Sequence, residues 1–178
     1  MRVPYVFGNQ EFFAELGKAT SFMAQGAGKS GGTVRMDIAK IIGDRAGSDI
    51  ITCDVNDRVR EAAAVLAKNR IGALPVMSGG KLAGIFSERD VIYRLAEMGP
   101  ACLESSVGEL MTAEPITVDI TSKVDEALGV MSRKRIRHLP VMDGDTMCSF
   151  ISIGDLVKSR IDEVENEAAA MRDYIQGA

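Results

Sequence analysis

The chain has 178 residues, 46% of them hydrophobic, and a net charge of −4 with an isoelectric point near 5.1. This length and apolar content allow one large domain or two small ones with a buried core. The acidic balance argues against a general affinity for nucleic acid or anionic membranes, and no apolar run approaches the roughly 20 residues that span a bilayer.

The N-terminal segment, residues 1–35, is predicted to hold a helix and a linker outside the main fold. Apolar side chains at helical spacing predict an amphipathic helix over Gln10–Gln25, and Gly26–Thr33 has the composition of a Gly/Ser linker. Within this linker, Gly26–Gly31 matches a dinucleotide fingerprint and Gly28–Ser30 resembles the end of a P-loop. Both motifs need a preceding strand that directs backbone amides at a phosphate, so we reject both. No signal-peptide pattern is seen, and we expect a cytoplasmic protein.

The rest of the chain contains one pattern twice. Leu74–Met77 recurs as Leu139–Met142, so the sequence numbers differ by 139 − 74 = 65, and the same offset relates Asp90 to Asp155. Repetition at a fixed offset indicates a duplicated structural unit. Each copy alone is of marginal size, so we expect the two to pack on each other.

Repeat 1 (36–100) is predicted to run helix, strand, helix, hairpin, helix. The tight Gly79-Gly80 turn is a hairpin signal, and Gly99-Pro100 ends the last helix. The predicted elements are a helix over Ile38–Asp44, a strand over Ile50–Thr52, a helix over Arg58–Asn69 capped by Asp57, strands over Ile71–Met77 and Leu82–Phe86, and a helix from Ser87 to about Met98.

Repeat 2 (101–160) is predicted to follow the same order, and its last helix to continue through the extension 161–178. Apolar residues from Val157 to Ile175 alternate at spacings of four and three, a short heptad-like seam that suits either the N-terminal helix or a second subunit. The predicted elements are a helix over Val107–Met111, a strand over Ile116–Val118, a helix to Lys134 opened by a capping box at Ser122–Asp125, strands over Ile136–Met142 and Met147–Ile151, and a helix opened by Ser152.

The element order, with Leu-Pro-Val on the second strand and Gly-x-x-Ser-x-x-Asp before the last helix, resembles the CBS domain, and its duplication resembles a CBS pair, or Bateman module. The resemblance covers about residues 36–160. It implies an α/β (α+β) fold of two βαββα repeats with pseudo-two-fold symmetry, plus N-terminal and C-terminal helices. It also implies two clefts that bind adenosine ligands (AMP, ADP, ATP, S-adenosylmethionine or NAD(H)) and assembly into disc-shaped homodimers.

The resemblance implies a nucleotide-binding set in each repeat. Thr52 and Thr117 match positions that hold the purine, and Asp90 and Asp155 match positions that bind ribose. In the first repeat the set is Ile51, Thr52, Ile71, Gly72, Ala73, Pro75, Ser87, Arg89 and Asp90, and in the second it is Ile116, Thr117, Arg135, Ile136, Arg137, His138, Pro140, Ser152 and Asp155.

Two interpretations of Ser87 and Asp90 stay open. They cap the helix and complement its dipole, which stabilises it by about 1 kcal/mol. Alternatively, the Asp90 carboxylate also accepts hydrogen bonds from both ribose hydroxyls, each worth roughly 1.5–3 kcal/mol. In repeat 2, Ser149 replaces the glycine found at position 84, and its side chain could crowd a ligand.

A basic cluster distinguishes repeat 2. It is either a solvated helix end or, as the resemblance implies for Arg137 and His138, a phosphate contact. His138 is the only histidine, which excludes a His-based metal site and a charge-relay triad, and its ordinary pKa near 6.5 would make phosphate binding mildly pH-dependent. The cluster is Arg133, Lys134, Arg135, Arg137 and His138.

We predict a regulatory module and not an enzyme, because the sequence offers no nucleophile with its base and no metal cluster. Binding of AMP or NAD(H), which the basic cluster favours, or of ATP or ADP, would be passed to a separate partner protein. The three cysteines lack metal-ligand spacing and are expected to be small hydrophobes in a reducing compartment. The alternatives are a structural dimerisation scaffold with vestigial clefts and a dinucleotide-using enzyme built on the Gly26 loop.

Overall fold

The computed structural model describes residues 36–43 and 50–176. The predicted helix over Gln10–Gln25 and the linker Gly26–Thr33 lie outside the described residues. So does Asp44, the last residue of the predicted helix at the start of repeat 1.

The described chain is a mixed α and β fold with two small sheets. Repeat 1 consists of α1 (Ile38–Gly43), β1 (Cys53–Asp54), α2 (Val59–Asn69), β2 (Ala73–Ser78), β3 (Lys81–Ser87) and α3 (Glu88–Met98), and a 3-10 helix (Gly99–Glu104) follows. Repeat 2 consists of α4 (Val107–Leu110), β4 (Thr112–Ala113), β5 (Val118–Asp119), α5 (Val124–Lys134), β6 (His138–Asp143), β7 (Thr146–Ser152) and α6 (Ile153–Gln176).

The two sheets share one topology. In the first, with order β1-β2-β3-β4, β1 runs parallel to β2 and the other neighbours are antiparallel; the second, with order β5-β6-β7, repeats the first three strands. Both hairpins carry a register shift at matching places, Val76/Met77 and Val141/Met142. Gly79 and Gly80 have φ of 54° and 80°, as a two-residue turn of type I′ requires, so the predicted hairpin is confirmed.

Three predicted details are wrong. The first strands begin later than predicted, at Cys53 instead of Ile50 and at Val118 instead of Ile116. Arg58, not Asp57, is the N-cap of α2, because the Asp57 carboxylate accepts instead from the amide of Asp54 at 2.9 Å. The N-cap of α5 is Lys123 and not Ser122, and its amide donates to Glu126.

The two repeats exchange their short N-terminal helices. Ile38, Ile41 and Ile42 of α1 are buried in the core formed by β6, β7 and α5, whereas Cys102, Val107 and Leu110 are buried in the core of repeat 1. Each repeat is therefore completed by a segment that the sequence assigns to the other.

Backbone hydrogen bonds fix this exchange in the same way on both sides. The amide of Ile38 donates to Ser122 at 3.0 Å, and the amide of Val107 donates to Asp57 at 2.8 Å. The accepting residues differ in number by 122 − 57 = 65, which is the repeat offset. The donating residues differ by 107 − 38 = 69. This reciprocity is what an approximate two-fold relation between the repeats requires.

All three cysteines are free thiols that serve as small hydrophobes. Cys53 and Cys102 are buried and Cys148 is half-buried. Burial raises the pKa of Cys53 to about 12 and that of Cys148 to about 11, so both thiols stay protonated at neutral pH.

Gly84 lets β3 approach β4 closely. A Cβ atom at Gly84 would lie 2.5 Å from Met111 Sδ and 2.7 Å from the carbonyl oxygen of Thr112. The backbone carbonyl cannot move aside without disturbing the pairing of Gly84 with Ala113. The glycine is therefore required by contacts within the protein.

Gly84→Ala is expected to lower the free energy of unfolding by about 1–3 kcal/mol, the usual cost of overpacking. Ser149→Ala at the equivalent strand position is the matched control, because that site already carries a side chain; we expect a change within about 0.5 kcal/mol. Urea unfolding of both variants checks this. Equal midpoints for Gly84→Ala and the unchanged protein would show that the strand approach is looser than described.

Candidate functional site

The two repeats meet where their second strands begin. Gly72 directly precedes β2, and a Cβ atom there would lie 3.3 Å from His138 Cε1 and 3.6 Å from Glu88 Oε2. His138 is the first residue of β6, and Glu88 is the first residue of α3. One imidazole and one carboxylate from different repeats therefore face the same backbone segment, and glycine leaves the space that they use.

In each repeat, the helix that follows the hairpin is hydrogen-bonded to the residue just before the second strand of the same repeat. The amide of Glu88 donates to the Gly72 carbonyl at 3.1 Å, and the amide of Ile153 donates to the Arg137 carbonyl at 2.8 Å. These bonds place the first turns of α3 and α6 beside Gly72 and Arg137. The starts of these helices and strands from both repeats therefore lie near the junction of Gly72 with His138.

Ser87 and Asp90 form a complete capping box at the start of α3. Asp90 Oδ2 accepts from the Ser87 amide at 2.8 Å and from Ser87 Oγ at 2.7 Å, and the Asp90 amide donates to Ser87 Oγ at 3.4 Å. Ser152 and Asp155 repeat the arrangement with distances of 2.8, 2.8 and 3.3 Å. The capping interpretation is therefore confirmed. Asp90 Oδ1 takes no part in these bonds, so a ligand hydroxyl could still approach it.

The imidazole of His138 is held by stacking. Its ring lies 5.5 Å from that of Phe150, centroid to centroid, with an interplanar angle of 10°. Burial lowers the pKa of His138 below its ordinary 6.5, and neighbouring Arg137 lowers it further, whereas Asp155 and Glu88 act in the opposite direction. The imidazole is therefore neutral at pH 7, and Arg137 provides the fixed positive charge beside it.

The lowered pKa predicts that stability falls on mild acidification. As the pH falls, the unfolded chain protonates His138 near pH 6.5, whereas the folded protein does so only at a lower pH. The free energy of unfolding that is present above pH 6.5 is therefore partly lost as the pH falls toward the His138 pKa of the folded state. His138→Gln should show a shallower decline in unfolding free energy between about pH 7 and 5, measured by urea titration. Carboxylates titrate in both proteins, so parallel curves would mean that His138 carries no lowered pKa.

The remaining predicted residues fall into three groups. Ile51 and Ile116 occupy equivalent positions before the two first strands and are 39% and 40% exposed. Ile71 and Ile136 pack against the two cores. Thr52 is half-buried; Arg89, Thr117, Arg135 and Arg137 are exposed; and Ala73, Pro75 and Pro140 are buried.

This distribution limits what several predicted residues can do. Ala73, Pro75 and Pro140 are buried within the hairpins, so they shape the strands that carry the site. The crowding expected from Ser149 stays a prediction, because the equivalent Gly84 faces Met111 and Thr112 beside β4, whereas the second sheet, as described, is β5-β6-β7 alone.

Sequence reasoning missed Glu88 and Phe150. Glu88 was concealed by its place inside the Ser87–Asp90 capping motif. One signal could have found it: the repeat offset pairs Glu88 with Ile153 and Gly72 with Arg137, and such charge mismatches between aligned repeats mark where the two sites differ. Phe150 pairs with Pro140 in the hairpin register, two positions along from His138 and so on the same face of the sheet.

A separate open cleft of about 610 Å³ lies between the β2–β3 hairpin and repeat 2. Of the predicted nucleotide-binding residues it contains Thr117 alone, and its walls carry one cation and two carboxylates. Its lining residues are Lys81, Leu82, Pro115, Thr117, Val118, Asp119, Met142, Gly144 and Asp145.

Metal sites and membrane-spanning helices are both absent from the part of the chain that the structure describes. Across 36–43 and 50–176, no set of three or more His, Cys, Asp and Glu side chains is placed to hold a metal ion. In the same part of the chain, no helix combines the length and apolar character that crossing a membrane demands.

Comparison with known proteins agrees with this geometry. The CBS domain family matches residues 42–97 and 107–162. The chain is 35% identical over 150 residues to the Arabidopsis thaliana CBS domain-containing protein CBSX3, mitochondrial, covering 82% of this chain and 73% of that protein. It resembles the crystal structure of the CBS-domain containing protein ATU1752 from Agrobacterium tumefaciens (35% identity, TM-score 0.66, 70% of this chain and 99% of that one). It also resembles the CBS domain pair of MJ0100, solved with 5′-methylthioadenosine and S-adenosyl-L-methionine (26% identity, TM-score 0.63, 72% and 98%).

Proposed function

Because the chain belongs to the CBS domain family, as a tandem pair, we propose that it is a regulatory module that binds an adenosine ligand between its repeats and signals the bound state to a separate protein. The observation that carries this proposal is the meeting of Gly72, Glu88 and His138 across the repeat interface. A ligand seated there touches both repeats, so its binding energy depends on how they are arranged.

The chemistry of the site supports a sugar-bearing purine. Ile51 and Ile116 offer open apolar surface for the base, and burial of such surface contributes about 25 cal/mol per Å². Asp90 keeps one carboxylate oxygen outside its capping bonds, available to ribose hydroxyls. The related MJ0100 pair was solved with two adenosine compounds, 5′-methylthioadenosine and S-adenosyl-L-methionine.

Within this class we propose AMP or NAD(H) as the leading ligands, with ATP and ADP next. Arg137 presents a planar fork of donors that suits phosphate. Glu88 Oε2 lies beside the same Gly72 position as the His138 ring, and its negative charge would oppose a second or third phosphate. A monophosphate or a diphosphate diester carries less charge than ATP, so it fits this mixed site better.

We propose no enzymatic activity, and a homodimer as the working unit. α3 leaves Ile92, Tyr93 and Met98 exposed, and α6 occupies the equivalent place after the second hairpin and leaves Val157 exposed. These apolar residues on two equivalent helices suit self-association with a second copy of the chain.

A thermal-shift screen tests the proposed function. AMP, ATP, NAD, NADH and S-adenosylmethionine are compared at equal concentration, with GMP as the matched purine control. A ligand at a hundredfold excess over its Kd should stabilise the fold by about 2.7 kcal/mol, which raises Tm by several degrees. No shift with any adenosine compound would favour the structural scaffold with vestigial clefts.

A further inference from the structure

The C-terminal helix α6 continues past the family match with an apolar stripe that the described part of the chain leaves exposed. The family match ends at residue 162, and α6 extends to Gln176. Leu156 is the buried residue of this helix among its described positions. The stripe, called here the seam, consists of Val157, Ile161, Val164, Ala168, Met171 and Ile175, all exposed.

The seam has the spacing of a coiled coil. Its intervals alternate four and three, which assigns Ile161, Ala168 and Ile175 to heptad position a, and Val157, Val164 and Met171 to position d. The flanking positions are then fixed as well. Position g holds Arg160, Glu167 and Tyr174, and position e holds Lys158, Glu165 and Arg172.

The charges at positions e and g select one partner and one orientation. In a parallel pair, each g residue faces the e residue five positions later on the other helix, so Arg160 meets Glu165 and Glu167 meets Arg172. Both contacts are attractive, and the two-fold axis makes each occur twice.

The antiparallel alternative is repulsive. In the register that pairs the whole seam with itself, Glu165 faces Glu165, Glu167 faces Glu167, and Lys158 faces Arg172 of the second copy. Every charged pair then has like signs, and like charges placed opposite each other destabilise the pairing.

We propose that residues 157–175 of two copies of this chain pair as a parallel, two-stranded coiled coil. The occupant of the seam is a second copy, and the charge complementarity of α6 with itself identifies it. This pairing is independent of nucleotide binding. In a parallel pair, the first turns of both α6 helices, which contain Asp155, lie at the same end of the coil.

Cross-linking tests the orientation, with a matched control in the same turn of the helix. Ala168→Cys places a thiol at position a, where it faces its own copy in a parallel pair, whereas Ala170→Cys places it on the outer side of the helix. Mild oxidation should link Ala168→Cys into covalent dimers several-fold faster than Ala170→Cys. Equal rates would overturn the proposal. If a mixture of Val164→Cys and Ala168→Cys forms mixed disulfide dimers efficiently while neither variant links to itself, the two helices pair in the antiparallel orientation, and the parallel pairing proposed here is wrong.

Charge exchange tests the partner. Glu167→Arg and Arg172→Glu should each weaken the dimer about tenfold by sedimentation equilibrium, and the double variant should restore it, because the swapped pair is attractive again. An antiparallel pair predicts little change for Glu167→Arg and a gain for Arg172→Glu. If the seam is covered by residues 1–35 of the same chain instead, none of the three variants changes the dimer, and the proposal fails. Circular dichroism confirms that each variant folds.

Discussion

Ile38→Ala is expected to lower the free energy of unfolding by about 2–5 kcal/mol, as truncation of a fully buried Ile side chain does. Ile38 is 0% exposed and packs in the core that β6, β7 and α5 form, although the sequence places it at the start of repeat 1. The cavity therefore opens in repeat 2. Ile51→Ala is the matched control, because Ile51 is 39% exposed and its truncation should have a much smaller effect.

Hydrogen exchange locates the damage. The amide of Val124 donates to the carbonyl of Met36, just before α1, and α5 covers the core that contains Ile38. Amides of α5 should lose protection in Ile38→Ala before amides of α2 do. If protection is lost first in α2, the helix exchange described above is incorrect and α1 stabilises its own repeat.

This exchange shows where sequence information ends. The repeat offset, the hairpins and the helix starts at Ser87 and Ser152 followed from local chemistry, because turn glycines and capping residues act within a few positions. Local sequence propensities do not determine which of the two cores α1 packs into, because that depends on tertiary packing. The exchanged helices are offset by 107 − 38 = 69, whereas the repeats are offset by 139 − 74 = 65, and this difference was the one numerical sign that they follow a separate path.

The first strands were misplaced for a related reason. Ile50 and Ile51 are β-branched residues and favour a strand. The strand that forms is defined by its parallel partner, which pairs Cys53 with Val76 and Asp54 with Met77. Ile51 therefore lies before the strand and is 39% exposed. A residue with strand propensity thus forms a strand only where a partner strand provides the hydrogen-bond ladder.

The two halves of the site are chemically unequal despite their common backbone. At matching positions, repeat 1 has Gly72, Ala73 and Glu88 where repeat 2 has Arg137, His138 and Ile153. The capping boxes of Asp90 and Asp155, by contrast, are the same within about 0.1 Å. Under the proposed function, the same capping geometry with different charge around it predicts two ligand sites of different affinity, so mutation of Asp90 and of Asp155 should have different effects on binding.

Asp90→Asn is expected to weaken adenosine ligand binding by about 10- to 100-fold. A hydrogen bond to a charged acceptor contributes roughly 1.5–3 kcal/mol, and each 1.4 kcal/mol is a factor of ten in Kd. Asparagine keeps the size of the side chain and an oxygen that accepts from the Ser87 amide, so the fold should lose no more than about 1 kcal/mol. Isothermal titration with the best ligand from the thermal-shift screen measures the affinity, and urea unfolding measures the stability.

Asp155→Asn is the matched variant, and comparison of the two assigns the clefts. Arg137 and His138 are in repeat 2 and His138 lies against Gly72 of repeat 1, so one cleft is expected to dominate and one aspartate to matter more. Ser152 Oγ and Ser87 Oγ make equivalent bonds in the two caps, so any difference between the variants reflects the ligand and not the helix start. If both variants bind as tightly as the unchanged protein while remaining folded, the carboxylates act as caps alone, and the ribose contact must be abandoned.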